Sequence, residues 1–147
     1  MNGIERGRQR YSNSRPVKRT IDFHGIPVSI EFDRGETKRG IGDYGEIWTN
    51  TYEHPYGEIP TSRSLADRDG VDVYVGPDES SPTVYVVHQL KRDGSFDEDK
   101  VMLQFGSASE AESCYRRHGP SNRFGGMDAM TIDEFIHGYL ASNRKIP

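Results

Sequence analysis

Apolar and polar positions alternate through much of the first hundred residues, and this alternation predicts a sheet. In TIDFHGIPVSIEF, Ile21 and Phe23, then Ile26, Val28, Ile30 and Phe32, recur at every second position, the period of half-buried strands. His24-Gly25 lies between the two runs and reads as a hairpin turn. Residues 33–46 are rich in Gly and charge and read as a long loop. Trp48, Tyr52 and Tyr56 follow four apart, but Pro55, Gly57 and Pro60 crowd them, so irregular strand and loop is expected rather than helix. In VDVYVGP, Val71, Val73 and Val75 make one face of a strand and Asp72 and Tyr74 the other, with Gly76-Pro77 as its stop. TVYVVHQL (83–90) and KVMLQF (100–105) are two further strands, separated by the polar turn segment KRDGSFDED.

The period changes after residue 106. Ser107-Ala108-Ser109-Glu110 is a capping-box sequence opening a helix that ends at Gly119-Pro120. Thr131-Ile132-Asp133-Glu134 opens a second, with Ile132, Phe135, Ile136, Tyr139 and Leu140 as an apolar stripe at helical spacing. Strands first and helices last is the α+β pattern, not the alternation of a doubly wound fold.

Length and composition narrow the class. A chain of 147 residues is one domain of ordinary size, able to bury about two-thirds of its unfolded surface. A mean hydropathy of -0.81 and no long apolar run exclude a spanning helix. The charged start MNGIERGRQR has no apolar stretch behind it, so no secretory leader is expected. A single cysteine, Cys114, excludes an intramolecular disulfide and fits a reducing, cytoplasmic setting. Residues 1–19 carry six Lys/Arg against Glu5 alone, whereas residues 20–147 carry 13 against 22 acids. The expected organisation is a basic flexible arm over 1–19 and a folded domain over 20–147. Nucleic-acid contact through the arm is the less favoured use of it.

The sharpest local feature is Asp67-Arg68-Asp69-Gly70-Val71-Asp72, three acids leading into a valine-rich strand. An EF-hand fails, because counted from Asp67 its sixth and twelfth positions hold Asp72 and Asp78. Asp93, Glu98 and Lys100 follow in the next acidic turn and strand, and Glu31 lies on an early strand. Acids without grouped His or Cys call for hard, oxygen-loving cations such as Mg²⁺ or Mn²⁺.

At these residues the chain resembles the soluble family I inorganic pyrophosphatases, most closely the compact pyrophosphatase-like domains encoded by phages and prophages. The family's D-x-D-x-x-D is matched by Asp67, Asp69 and Asp72. Its Tyr-x-x-x-Tyr-Gly-x-Ile is matched by Tyr52, Tyr56, Gly57 and Ile59, and its D-x-x-x-x-[DE]-x-K by Asp93, Glu98 and Lys100. Its helical Tyr followed by a basic residue is matched by Tyr115 and Arg116, and its early metal-linked Glu by Glu31. The phage-type members also share V-D-V-Y-V-G-P and F-D-E-x-K-V-M-L. The resemblance spans about residues 20–142, with the motifs in order.

The resemblance implies a small antiparallel OB-like β-barrel followed by two C-terminal helices packed outside. It implies Mg-dependent hydrolysis of pyrophosphate to two phosphates, with two or more ions and with Mn²⁺ as a substitute for Mg²⁺. Asp67, Asp72, Asp93 and Glu98, with Glu31, would hold the metals. Asp69 would take a proton from the attacking water. Lys100, Tyr56, Tyr115, Arg116 and either Lys38 or Arg39 would hold the phosphates. A homo-oligomer is compatible with this reading; a membrane partner is not expected, and a phage-encoded chain would work in the host cytoplasm. Tyr44 stands where the family usually has Arg, Arg68 replaces a small residue, and the loops near Lys38 and after Gly76 are short. A more open site leaves two alternatives: hydrolysis of a nucleotide phosphoanhydride or phosphodiester, or a non-catalytic barrel that binds phosphate or nucleic acid.

Overall fold

The computed structural model of the chain describes residues 16–60 and 70–144. Over that span the strands are β1 (Arg19–Phe23), β2 (Ile26–Phe32), β3 (Thr37–Ile41), β4 (Ile47–Thr51), β5 (Tyr56–Ile59), β6 (Val71–Val75), β7 (Thr83–Leu90), β8 (Phe96–Leu103) and β9 (Phe124–Thr131). Helix α1 (Ala108–His118) follows β8, and a 3₁₀ turn (Ser121–Arg123) leads into β9. The C-terminal helix is α-helical at Ile132–Glu134, π-helical at Phe135–Leu140 and α-helical again at Ala141–Arg144.

Seven strands form one sheet in the order β1-β2-β5-β6-β8-β7-β9. Its neighbours are antiparallel except β6 and β8, which are parallel. The β1–β2 turn forms where the pattern placed it, with φ of 51° at His24 and 88° at Gly25. Positive φ at both central residues matches the turn to the strands' right-handed twist.

The period-two pattern decides which side chains are buried on which face. Val28, Ile30, Ile59, Val73, Val84, Val86 and Val101 lie in one apolar cluster, closed by Phe135 and Leu140 of the C-terminal helix. Tyr74, Tyr85, Val87 and Met102 lie in a second, closed by Ala111, Cys114 and Tyr115 of α1. The two helices therefore cover opposite faces of the sheet. Each buried Val or Ile contributes about 1.5–3 kcal/mol through loss of apolar surface from water.

Several features depart from the expectations, beginning with the parallel β6–β8 pair in a sheet expected to be antiparallel and with β8 starting at Phe96, inside the expected turn segment. The sheet is open: β1 and β9 are its two ends and do not pair with each other, so barrel closure is not found among the described residues. Gly125 and Gly126 in β9, and the exposed Arg19, Thr20 and Asp22 of β1, are edge-strand residues. The stretch expected as loop contains a separate hairpin of β3 and β4. It escapes the alternation rule because Ile41 and Ile47 remain exposed. It holds together instead by its ladder, by a 2.8 Å bond between the Thr37 and Thr51 hydroxyls, and by the Trp48 ring lying on Gly40, where a Cβ has no room. A further departure is β9, an additional strand between the two helices that pairs with β7. Finally, the helix caps differ. Thr131 and Glu134 make the full reciprocal box, whereas Glu110 reaches the Gly106 N–H at 3.1 Å while its own N–H is capped by Ser107.

Candidate active site

A polar row crosses the middle of the sheet. Register pairs Ser29 with Glu58, Glu58 with Asp72, Asp72 with Lys100, and Lys100 with Val87. Directly paired residues project from the same face. Glu58, Asp72 and Lys100 thus stand side by side, and Tyr56, two residues from Glu58, joins them.

Lys100 is the centre of this group. Its Nζ lies 2.8 Å from Asp72 Oδ2 and 2.9 Å from Glu98 Oε2, and donates to the Tyr56 hydroxyl at 3.0 Å. An ammonium has three protons, so the three partners account for all of them. Burial alone would lower the Lys100 pKa, but Tyr56, Asp72 and Glu98 outweigh it and hold the ammonium well above its ordinary value. Burial raises the Tyr56 phenol, so it is neutral and serves as an acceptor here. Burial also raises the Glu98 carboxyl, and the charges of Asp72 and Asp97 add to that while Lys100 opposes it. Tyr56 is fixed in turn by stacking on Tyr52, with ring centroids 5.5 Å apart, and by a tilted contact with Tyr74 at 4.6 Å.

The other sequence-selected residues are dispersed. Asp67 and Asp69 lie outside the described residues; Gly70, which follows them, donates its N–H to Glu58 at 3.2 Å. Asp93 sits at the β7–β8 turn, where its Oδ1 accepts from the Ser95 N–H at 2.9 Å and the Ser95 hydroxyl at 2.6 Å. Glu31 is the extra residue where the β2–β5 register shifts between Ile30 and Phe32. Lys38 pairs with Asn50, whose amide reaches the His118 carbonyl at 3.3 Å, so Lys38 is on the inward face of the hairpin, 5.7 Å from the Phe32 ring centre. Arg39 is exposed on the other face. Tyr115 is fully buried and donates its hydroxyl to Gln89 Oε1 at 2.8 Å. Arg116 is exposed on α1, paired with Glu112 at 2.8 Å and lying 4.5 Å over the Phe124 ring.

Three residues on the site face were not singled out from sequence: Glu58, Gln89 and Asp97. Glu58 stands two residues beyond Tyr56 in the strand period, which is the signal that places it on the same face. Gln89 is buried, 6 % exposed, and follows His88 at the end of a strand whose middle is apolar. Asp97 depends on a register shift: the ladder passes from Gln89–Glu98 to Leu90–Phe96 and skips it, while its Oδ2 accepts from Gln89 Nε2 at 3.0 Å.

A cavity of about 940 Å³ opens elsewhere, between Arg19, Arg34, Tyr52, His54, Gly76 and Arg117, and none of Asp72, Glu98 and Lys100 lines it. The ion-paired polar row, not this cavity, carries the convergent chemistry. Its donors are all oxygen, the set that suits a hard cation. Among the described residues no three His, Cys, Asp or Glu side chains stand close enough to hold one ion by themselves. Among the described residues, Asp72 and Glu98 flank one ammonium and are bridged by Lys100.

A family model described as Inorganic Pyrophosphatase matches residues 7–139. The chain belongs to the inorganic pyrophosphatase family. The match takes in every strand described above and most of the C-terminal helix. No curated protein and no solved structure gives a match. Among the described residues no helix is long and apolar enough to cross a membrane.

Proposed function

We propose that this member of the pyrophosphatase family hydrolyses inorganic pyrophosphate to two phosphates with the help of Mg²⁺ or Mn²⁺. The observation that carries the reading is Lys100 held among Asp72, Glu98 and Tyr56 in a chain of that family. Asp72 and Glu98, with Asp67, Asp93 and Glu31, would be the oxygen donors for the cations. Bound there, a cation neutralises charge on phosphate oxygens and lowers the pKa of water. Asp69 is the base that accepts a proton from the attacking water. Lys100 and Tyr56 would orient phosphate oxygens, the ammonium giving the substrate one of the three protons it now directs to Asp72, Glu98 and Tyr56. Fixed positive charge at that point resists reorganisation during in-line transfer. Lys38, on the inward hairpin face, is the better placed of the two hairpin cations. The Tyr115 hydroxyl reaches a phosphate only by leaving Gln89. The single cysteine and the substrate both fit a cytoplasmic setting, the host's if the chain is phage-encoded.

The test is phosphate release from pyrophosphate by the purified full chain, with Mg²⁺, with Mn²⁺ and with chelator. Release only with a divalent cation is expected. Metal-independent release refutes the mechanism, and release from a nucleotide but not from pyrophosphate moves the substrate.

A further inference from the structure

We infer that His118 latches the β3–β4 hairpin onto the C-terminal end of α1 and so positions Lys38, and that the latch holds only while the imidazole is uncharged. The hairpin makes no ladder with the seven-stranded sheet, so side chains tie it to the body. Asn50 of β4 makes one such tie, and both ends of its amide go to His118. Its Nδ2 donates to the His118 carbonyl at 3.3 Å, and its Oδ1 faces the ring's Nδ1 at 3.4 Å. An amide oxygen only accepts, so Nδ1 carries the proton and Nε2 the lone pair. The rings of Tyr52 and Tyr74 lie nearly parallel to the imidazole, each with centroids 6.0 Å away, and His54 stands edge-on at 6.4 Å. Nε2 is buried there and has no hydrogen-bond partner, the one such side-chain nitrogen or oxygen among the described residues.

A second proton would place a charged N–H at Nε2 with nothing to accept it, which a buried site strongly disfavours. The groups around the ring are Cys114 and Arg117 of α1, Glu53 and His54 of the β4–β5 link, the phenols of Tyr52 and Tyr74, and Lys38 beside Asn50 on the hairpin. The helix C-terminus and the phenol faces attract a cation. Burial outweighs them and lowers the His118 pKa; Glu53 opposes, while His54 and Arg117 add to the lowering. The ring therefore charges only by swinging Nε2 to water, which breaks the Nδ1 bond and the stacking. Lys38 travels with the hairpin. Its Nζ lies 5.7 Å from the Phe32 ring centre, Phe32 stacks on Tyr52 at 4.8 Å, and Tyr52 stacks on Tyr56, the partner of Lys100. That Lys38 holds phosphate rests on the function proposed above; on that reading His118 is its positioning residue.

Trp48 is the only tryptophan of the chain and lies on β4, so its emission reports the hairpin whether or not the protein hydrolyses anything. The experiment follows that emission from about pH 8 to about pH 5.5, across the ordinary imidazole range, in the full chain and in His118→Asn, His118→Phe and His54→Gln, each checked by its thermal melt. Asn keeps an N–H near the place of Nδ1 and does not titrate; Phe keeps only the stacking. A group that the fold keeps uncharged contributes in full above its free pKa of about 6.5 and loses that contribution as pH falls below it. The parent and His54→Gln are therefore expected to shift to longer wavelength below about pH 6.5, and the two His118 variants to show no such transition. At neutral pH, His118→Phe is expected to raise KM for pyrophosphate by about 2- to 10-fold at unchanged kcat, the range of one neutral hydrogen bond, and His118→Asn to stay near the parent. Flat parent emission, a transition that survives in both His118 variants, or one lost in His54→Gln overturns the latch. A parent-like KM in His118→Phe overturns the positioning of Lys38. A parent that releases no phosphate overturns the proposed reaction, and the emission series still decides the latch.

Discussion

Replacing Lys100 by Met removes a charge and keeps most of the stem. In the parent, the Lys100 side chain is 11 % exposed, and its partners Asp72 and Glu98 are 27 % and 47 % exposed. Removing one member of a fully buried ion pair costs about 3–5 kcal/mol, because the other charge is left uncompensated. A solvent-exposed pair is worth only about 0–1 kcal/mol. Asp72 lies nearer the first limit and Glu98 nearer the second, so about 2–3 kcal/mol is expected in chelator. Two facing carboxylates without their ammonium should also attract a divalent cation more strongly than the parent does. At a cation concentration about 100 times Kd, binding returns about 2.7 kcal/mol. The assay is urea unfolding of parent and variant, in chelator and across a Mg²⁺ series. The expected result is a large deficit in chelator that shrinks as Mg²⁺ rises. An equally stable variant in chelator, or equal stabilisation of both proteins by Mg²⁺, refutes the role of Lys100 as the counter-charge of the metal-free site.

Two further outcomes follow from groups outside that site. His88 Nδ1 lies 2.7 Å from Asp99 and Nε2 lies 2.8 Å from Asp128, while the Tyr139 hydroxyl donates to Asp99 at 2.6 Å. Carboxylates only accept, so both ring nitrogens need protons; burial works against the charged ring, but the bonds to Asp99 and Asp128 outweigh it and raise the His88 pKa above 6.5. A raised folded-state pKa contributes stability that is fully present below the unfolded value and is lost as pH rises through the folded one. The urea midpoint of the parent minus that of His88→Gln should therefore be largest below about pH 6.5 and decline above it; a pH-independent difference refutes the clasp. Gly57→Ala should prevent folding or lower the melting temperature sharply, because a Cβ there meets the Ser29 carbonyl across the β2–β5 ladder. A parent-like melt would show that the two backbones are not so close.

The parts of this protein that were readable from sequence are those whose cause is local. Ile21 to Phe32, Val71 to Val75 and Thr83 to Leu90 declare themselves as strands because burying one face demands an apolar residue at every second position. Thr131 and Glu134 announce a helix start because the capping groups lie three residues apart in the chain. The motifs around Tyr56, Asp72, Glu98 and Lys100 were likewise visible, and the structure brings those four together. What remained for the tertiary structure is non-local. Whether the sheet closes depends on β1 meeting β9, more than a hundred residues apart, and they do not pair. The β3–β4 hairpin is held by a cross-strand ladder and a Trp48–Gly40 contact rather than by an apolar stripe, so no period reveals it. β9 is masked by its glycines and becomes a strand because β7 offers it an edge. The face to which Asp97 turns depends on a bulge, which is a property of two strands in register and of neither alone. Glu58 becomes part of the site only because β5 lies beside β6 and sets its carboxylate next to Asp72.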